Sequence, residues 1–436
     1  MSTETPPTVH VFEPSHLGHR PFFLAWLLTN PPSARRWTLH TTGAVLDHPT
    51  LAPLVRSPSP AFATVVMRHC HVETSRANAS RRLIQQVATA MAIRRSWRQH
   101  ARTGDTAFIP YYDDLAIAFS LPWLTLDMPL CAIGMRDQFH QHTQGIASAD
   151  RRRGHGIKGF LLHRLLGRKT TCCYFTNQLP LKRDVDSRWG QLTNKVRFYP
   201  DPAEISVPVG KSEARRQLGL PAEKRYVLCY GSLTARKGVS NLLDALESPD
   251  WPQDTAAIFA GACRDDIGAL LHGPRAEALA TRGLLHRFLG FVDGARENLL
   301  FQAADAVWLV YDKHDFMSGC LVPAGMHHRP VIGCTTGLIA WYITTFSGGL
   351  LHNPRPDQSS ESLRAIATLL HDDDRLTRLG ENLGRAFAHH THENFRTAIH
   401  AGILGLVDPR CAATSHVYPL PSGGSDVISM KQSLPS

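Results

Sequence analysis

The chain has 436 residues, 43% hydrophobic and 19% charged, with 32 Gly and 29 Pro, and its mean hydropathy is −0.18. At roughly 100–200 residues per domain this provides for two or three units with cores of their own, which excludes a disordered, fibrous or small disulfide-stapled protein. No apolar run approaches the ~20 residues that span a bilayer.

Residues 1–7 are polar and Pro-containing and read as disordered. The β-branched run Thr8–Phe12, a loop with Gly18 and a helix over Pro21–Leu28 form the opening of a βα unit. Phe22–Leu28 is apolar, but Glu4 and Glu13 precede it and Thr29-Asn30-Pro31-Pro32 follows, so it does not read as an export signal. Strand-like runs follow at Ala63–Met67, Ala107–Pro110, Pro129–Gly134, Thr171–Phe175 and Val196–Tyr199, with Ser80–His100 as the longest helical stretch between them. Strands alternating with helices predict a parallel sheet covered on both faces.

The Pro-bearing segment Asp201–Gly210 reads as a linker. After a helix near Ser212–Leu218 the pattern restarts, with strands at Arg225–Tyr230, Thr255–Ala260, Leu284–Phe291, Ala306–Val310 and Pro330–Gly333. Helices are expected at Gly238–Leu246, Ala295–Ala303, Cys320–His327 and, by its 3–4 spacing of apolar residues, Asp373–Leu404. The expected organisation is a domain over 1–200, a second over 201–407 and a flexible Ser/Pro/Gly-rich tail over 408–436. Two such domains in tandem place a ligand cleft between them, outside the carboxyl ends of the strands.

Nine cysteines without C-x-x-C spacing fit free thiols in a reducing compartment. Of the 24 histidines, His69-Cys70-His71, His140/His142 and His389-His390/His392 cluster, but none repeats ligand pairs at metal-site spacing, so no metal is expected. Charge is divided unevenly. Residues 1–200 hold 25 Lys and Arg against 12 Asp and Glu, a net +13, whereas 201–436 hold 22 against 25, a net −3. Two stretches, Arg76–Arg102 and Arg151–Lys169, each carry seven cations and no acid. In the second, Ile157, Phe160, Leu161, Leu162, Leu165 and Leu166 recur at helical spacing. Such stretches read either as an anionic membrane contact or as a solvated helix face. Nucleic acid is not expected, because no aromatic platform, finger spacing or helix-turn-helix pattern is present.

Two segments carry chemistry. Tyr230-Gly231-Ser232-Leu233-Thr234-Ala235-Arg236-Lys237-Gly238 leaves a strand and opens a helix, where backbone amides, the helix dipole and two cations suit a diphosphate. Neither a Walker A loop nor G-x-G-x-x-G is present. In Trp308–Cys320, Ser318 and Gly319 stand where a helix is expected to begin, with Asp315 before them as an acceptor for sugar hydroxyls. The alternative for this second segment is an ordinary helix capped by Ser318.

The chain resembles the family-4 retaining nucleotide-sugar glycosyltransferases. The matching pieces are Lys195–Pro200, Gly231-Ser232-Leu233 through Lys237-Gly238, Arg287–Val292, Ala303–Ala306, Ser318-Gly319 and Ala324-Gly325-Met326 through Arg329–Ile332, with the best match over 195–345. This resemblance implies an α/β, GT-B-like fold in which two Rossmann-like doubly wound domains face a central cleft. It also implies a nucleotide-diphosphate sugar as donor substrate, no cofactor, and transfer with retention to a glycan or lipid-linked acceptor in polysaccharide biosynthesis. A cytoplasmic protein, peripheral on the inner face of the membrane, is expected.

By the same resemblance Lys237 and Arg236 hold the diphosphate, with Gly231, Ser232, Phe291, Ser318, Gly319 and Cys320 around the donor. Asp315 contacts the donor sugar, and His140 is the active-site histidine, with Arg136 beside it. His16, Gly18 and His19, in the first βα loop, face the acceptor. Two departures stand out. Ser232 occupies a position where the family commonly has an arginine, and the second of its paired glutamates falls on Pro323, which has no carboxylate. A non-catalytic protein that binds a sugar nucleotide or glycan as the partner of another transferase is the alternative.

Overall fold

The computed structural model describes residues 6–58, 60–68, 79–121, 123, 128–148, 155–264 and 266–406. The start of the chain before residue 6, Arg76, Arg151–Arg153, His69–His71 and the tail from 408 lie outside the described residues. Among the described residues no helix is long and apolar enough to cross a membrane.

Two parallel sheets form the frame. The first has seven strands in the order β3-β2-β1-β4-β5-β6-β7: β1 (Thr8–Glu13), β2 (Arg36–Thr41), β3 (Ala63–Val66), β4 (Thr106–Ile109), β5 (Leu130–Ile133), β6 (Thr171–Thr176) and β7 (Val196–Phe198). The second has six in the order β10-β9-β8-β11-β12-β13: β8 (Arg225–Tyr230), β9 (Thr255–Gly261), β10 (Leu285–Leu289), β11 (Ala306–Leu309), β12 (Val331–Gly333) and β13 (Gly349–Leu351). Every strand pair is parallel. Strands covered by helices on both faces need apolar side chains on both, which is why β9 reads TAAIFAG and is buried throughout.

The helical stretch expected over Asp373–Leu404 is two helices, Asp373–Phe387 and His392–Ile403. The Asp372 carboxylate caps the first by accepting from the Arg375 amide, and the Thr391 hydroxyl caps the second by accepting from that of Asn394. The last helix leaves the second domain altogether. Phe395, Ile399 and Ile403 pack with Val9, Leu24, Trp37 and Phe175 of the first, and His400 Nε2 lies 3.0 Å from the Leu27 carbonyl. By packing, residues 392–403 therefore belong with the first unit rather than with 201–407. The chain crosses between the units twice, side by side: the Ala203 amide donates to the His390 carbonyl at 3.0 Å, and His390 Nδ1 donates to that of Asp201 at 2.9 Å.

The basic stretch 151–169 also differs from its expectation. Its helix runs His155–Leu166 and buries Leu162, Leu165 and Leu166, but Ile157 and Phe160 face solvent at 64% and 62% exposure. Arg168 is not part of a solvated face. Its guanidinium donates to the carbonyls of Phe119 (3.0 Å) and Ser120 (2.7 Å).

Inside the first domain a polar chain runs from β1 to the helix over Ala79–His100. Asp105 lies 3.1 Å from His10 Nε2, His10 Nδ1 lies 2.8 Å from His40 Nε2, and His40 Nδ1 lies 2.8 Å from the Ser96 hydroxyl. With Asp105 as a carboxylate, His10 donates to it, His40 donates to His10 and Ser96 donates to His40, so both rings are neutral. Burial, reinforced by His10 and His100, pushes the His40 pKa down to about 3. Burial also lowers that of His10, against the pull of Asp105. The unfolded chain protonates His40 below pH ~6.5 and the folded chain does not until about pH 3, so through His40 stability declines as pH falls across this range, by on the order of 1.4 kcal/mol per pH unit. Urea unfolding followed across this range should show that slope, and His40→Gln should flatten it. An unchanged slope in the variant would remove His40 as a contributor.

Candidate active site

The loops at the carboxyl ends of β8 and β11 meet at one point. β8 ends at Tyr230. Gly231 follows with φ +106°, Ser232 is exposed, and a single 3₁₀ turn spans Ala235–Lys237 before the helix Val239–Glu247. Gly238, at φ +69°, is required here because a Cβ would stand 2.1 Å from the Val310 carbonyl. The residue thus lets the turn pack on the end of β11.

Lys237 is buried. Its ammonium donates to the Tyr230 carbonyl (3.0 Å), the Tyr311 hydroxyl (2.6 Å) and Cys320 Sγ (3.2 Å). An ammonium has three protons, and all three are engaged here. Lys237 therefore presents positive charge to the cleft but no N–H donor in this conformation. Arg236 is exposed, with its guanidinium 2.9 Å from His314 Nδ1 and 5.4 Å from the centre of the Tyr311 ring. Burial, with Arg236 beside it, pushes the His314 pKa down to about 4, so the ring accepts from the arginine.

The second segment starts its helix later than expected. The Ser318 hydroxyl is buried, lies 3.3 Å from that of Tyr311 and accepts from the Cys320 amide at 3.2 Å; the helix covers Leu321–Met326. Pro323 is buried within it. Gly319 is exposed, and a side chain there would meet no atom within 4 Å. Tyr311, to which the sequence assigns no role, joins the two segments through Lys237 and Ser318. Phe291, after Gly290 at the end of β10, is 90% exposed, far more than a phenylalanine usually is.

The first domain closes over Asp315. The Asp315 carboxylate, 3% exposed, accepts from Gln138 Nε2 at 3.2 Å and the Ser148 hydroxyl at 2.7 Å, while its carbonyl accepts from Gln141 Nε2 at 3.0 Å. It is the glutamines on either side of His140 that reach across the cleft. The imidazole of His140 is fully buried, neither nitrogen is bonded, and burial takes its pKa to about 3. A ring so enclosed cannot touch a cleft ligand in this conformation. The glutamines were not found from sequence because an amide gives no motif signal.

His19 stands beside the C-terminal loops. Desolvation of its ring by the protein around it lowers its pKa, and the Lys237 ammonium acts in the same direction. His16 is half-buried with Nδ1 unbonded, and Gly18 adopts φ +66° with open space where a side chain would stand. Arg136 lies outside this cluster, exposed, with Nη1 3.4 Å from Asp114. Its amide and that of Met135 donate to Asp113. Among the described residues no group of three His, Cys, Asp or Glu is placed to hold a metal ion.

Two facing doubly wound domains, with the last helix returned to the first, make this the GT-B fold. Solved structures that share it include HepE of Anabaena in complex with UDP (TM-score 0.64, 16% identity, 92% of this chain and 100% of that one). Sucrose-phosphate synthase from Thermosynechococcus elongatus aligns with TM-score 0.61 and 14% identity over 92% and 97%, and the lipopolysaccharide glycosyltransferase WaaG with 0.59 and 14% over 92% and 99%. The chain matches no known protein-family profile and no curated protein.

Gly337 locks the clasp. Its amide donates to the Ala147 carbonyl across the cleft at 2.7 Å, its φ is +74°, and a Cβ would stand 2.5 Å from the His314 carbonyl and 2.7 Å from Asp315 Cα. Gly337→Ala should force the Asp315 loop away and lower stability by on the order of 1–3 kcal/mol. Thermal unfolding within 1 °C of wild type would show that this loop yields freely.

Proposed function

We propose that the chain is a retaining glycosyltransferase that moves a sugar from a nucleotide-diphosphate sugar to an acceptor hydroxyl, without a metal or other cofactor. The carrying observation is the joint Lys237–Tyr311–Ser318 at the carboxyl ends of β8 and β11, with Arg236 exposed beside it. HepE, of the same fold, is solved with UDP, with UDP and glucose, and with UDP-glucose. In this reading Arg236 donates to the diphosphate and Lys237 adds fixed charge beneath it. Fixed positive charge matters most where negative charge develops, on the leaving phosphate. The exposed ring of Phe291 offers a face for the base, and Asp315 meets the donor sugar once the Gln138 and Ser148 contacts part.

A second reading, a sugar-nucleotide-binding partner without transfer activity, is favoured by Pro323 and by the engagement of the Asp315 carboxylate with the first domain. Calorimetric titration and a hydrolysis assay over a panel of nucleotide sugars separate the two. Binding with neither transfer nor slow donor hydrolysis supports the second. Gly319→Val should fill the open space above the Ser318 turn and weaken nucleoside-diphosphate binding at least tenfold, ~1.4 kcal/mol, and Arg236→Ala should lower turnover. Unchanged binding in both variants would place the donor elsewhere.

The proposal includes attachment to an anionic membrane on the cytoplasmic side. On the helix over Ala79–His100, Ile84, Met91, Arg95 and Arg98 share one exposed stripe. Ile157, Phe160 and Arg164 share another on His155–Leu166, and the helix Ala116–Ser120 between them exposes Ile117. Exposed apolar side chains among cations suit the lipid boundary. Liposomes with anionic lipid should sediment the protein at low salt and release part of it at ~0.5 M salt, where charges are screened. Ile84→Glu with Phe160→Glu should abolish sedimentation. Equal sedimentation with neutral liposomes, or none at all, would leave these residues as a solvated face.

A further inference from the structure

Three cysteines meet where β5 and β6 run side by side. The register pairs Leu130 with Thr171 and Cys131 with Cys173, so Cys172 is one residue too many on β6. A bulged residue of this kind is left out of the ladder and its side chain is re-aimed. Here it lies against Cys131, whose thiol donates to the Cys172 sulfur. Neighbouring strands stand ~4.8 Å apart, within the Cα separation that a disulfide spans. The two thiols differ in access. Cys131 is fully buried in the core that the last helix covers, whereas Cys172 is the one exposed cysteine among the described residues.

The surroundings favour the charged form of the outer thiol. The hydrogen bond from Cys131, with the Lys195 ammonium, the Leu130 amide and the Arg35 guanidinium, brings the Cys172 pKa down to about 7 against the cost of its partial burial. Both cations are held in place. Lys195 donates to the carbonyls of Leu166 (2.8 Å) and Arg168 (2.7 Å), and Arg35 to that of Gly104 (2.8 Å). On Cys131 the same hydrogen bond and burial act upward, so it stays a thiol. The thiolate is the reactive form of cysteine, and redox-active cysteines are exposed and stand next to a second thiol that resolves them.

We propose that Cys172 and Cys131 are a hydroperoxide-reactive pair that closes a reversible disulfide between β6 and β5. With hydrogen peroxide, the Cys172 thiolate attacks one oxygen: an S–O bond forms, the O–O bond breaks and hydroxide leaves. Cys172 is then a sulfenic acid. The Cys131 sulfur attacks the Cys172 sulfur, the S–S bond forms, the S–O bond breaks, and the departing hydroxide takes the Cys131 proton as water. The two thiols give up two electrons, and the peroxide becomes two waters. Both cysteines lie at the amino ends of their strands, at the edge of the sheet opposite the cleft, so the pair does not depend on the glycosyl-transfer reading.

Hydrogen peroxide titrated onto the reduced full chain, followed by alkylation of the remaining thiols and peptide mass spectrometry, tests this. Cys131 and Cys172 should be lost together as one linked pair, and dithiothreitol should restore both. Cys172→Ser, which alters an exposed side chain and leaves the core intact, should abolish the bond, whereas Cys173→Ala should leave it. In Cys131→Ala, Cys172 should accumulate as a sulfenic acid that dimedone traps. Before oxidation, Cys172 should alkylate at pH 7 roughly tenfold faster than the half-buried Cys263, whose pKa burial raises. Survival of both thiols in peroxide would overturn the assignment, as would a bond to Cys173 in place of Cys172 or a dimer linked through Cys172. Alkylation of Cys172 no faster than that of Cys263 would overturn it as well.

Discussion

The parallel run of the thirteen strands among the described residues is the constraint on which the site depends. A parallel strand can be followed only by a crossover, so every strand-to-helix loop of a domain emerges at the same edge of its sheet. Gly231–Gly238 and Tyr311–Cys320 are far apart in sequence but leave neighbouring strands, β8 and β11, at that edge. The first βα loop and the Gln138–Ser148 segment do the same in the other domain. Chemistry collects in the cleft because the winding leaves these loops no other place.

Within the cleft, Tyr311 does what no single motif does. Its hydroxyl accepts from Lys237 and lies beside Ser318, so a charge from one loop and a turn from the next are held in one geometry. Burying an ammonium is expensive unless it is fully hydrogen-bonded, and the two oxygens and one sulfur around Lys237 meet that requirement. With Ser232 uncharged, Arg236 is the outward-facing cation of this loop.

Much of the frame was legible in the sequence. The apolar runs of β8, β9 and β11 are long enough to stand out, and the Gly-bearing exits from β8 and β11 mark where a ligand could lie. The unit boundary near the end of the chain was less so: 3–4 spacing continues through Asp373–Leu404, and only the cap at Thr391 separates two helices that serve different domains. β2, with charged and polar residues among Trp37 and Leu39, and β13, three residues long, lack the period of a strand. The site's partners lay beyond local reading for a different reason. Lys237 finds Tyr311 74 residues away, and Asp315 finds Gln138 at a separation of 177. Burial of a lysine or engagement of a carboxylate at such distances is a property of the closed fold and not of any window of sequence.

The paired crossings have a mechanical consequence. The segments near Asp201 and His390 are laced together by two hydrogen bonds where they pass between the domains. Two adjacent strands act as a door hinge does: they permit rotation about one line and resist twist and sliding about others. The cleft is then expected to open as a book opens, with the spine along these strands. In such a motion the displacement at any point grows with its distance from the spine, so the contacts of Asp315 and Gly337 with the first domain part along one defined arc. Cutting the chain between the domains would not yield two independent halves either, since the first would lack the helix that covers Val9 and Phe175.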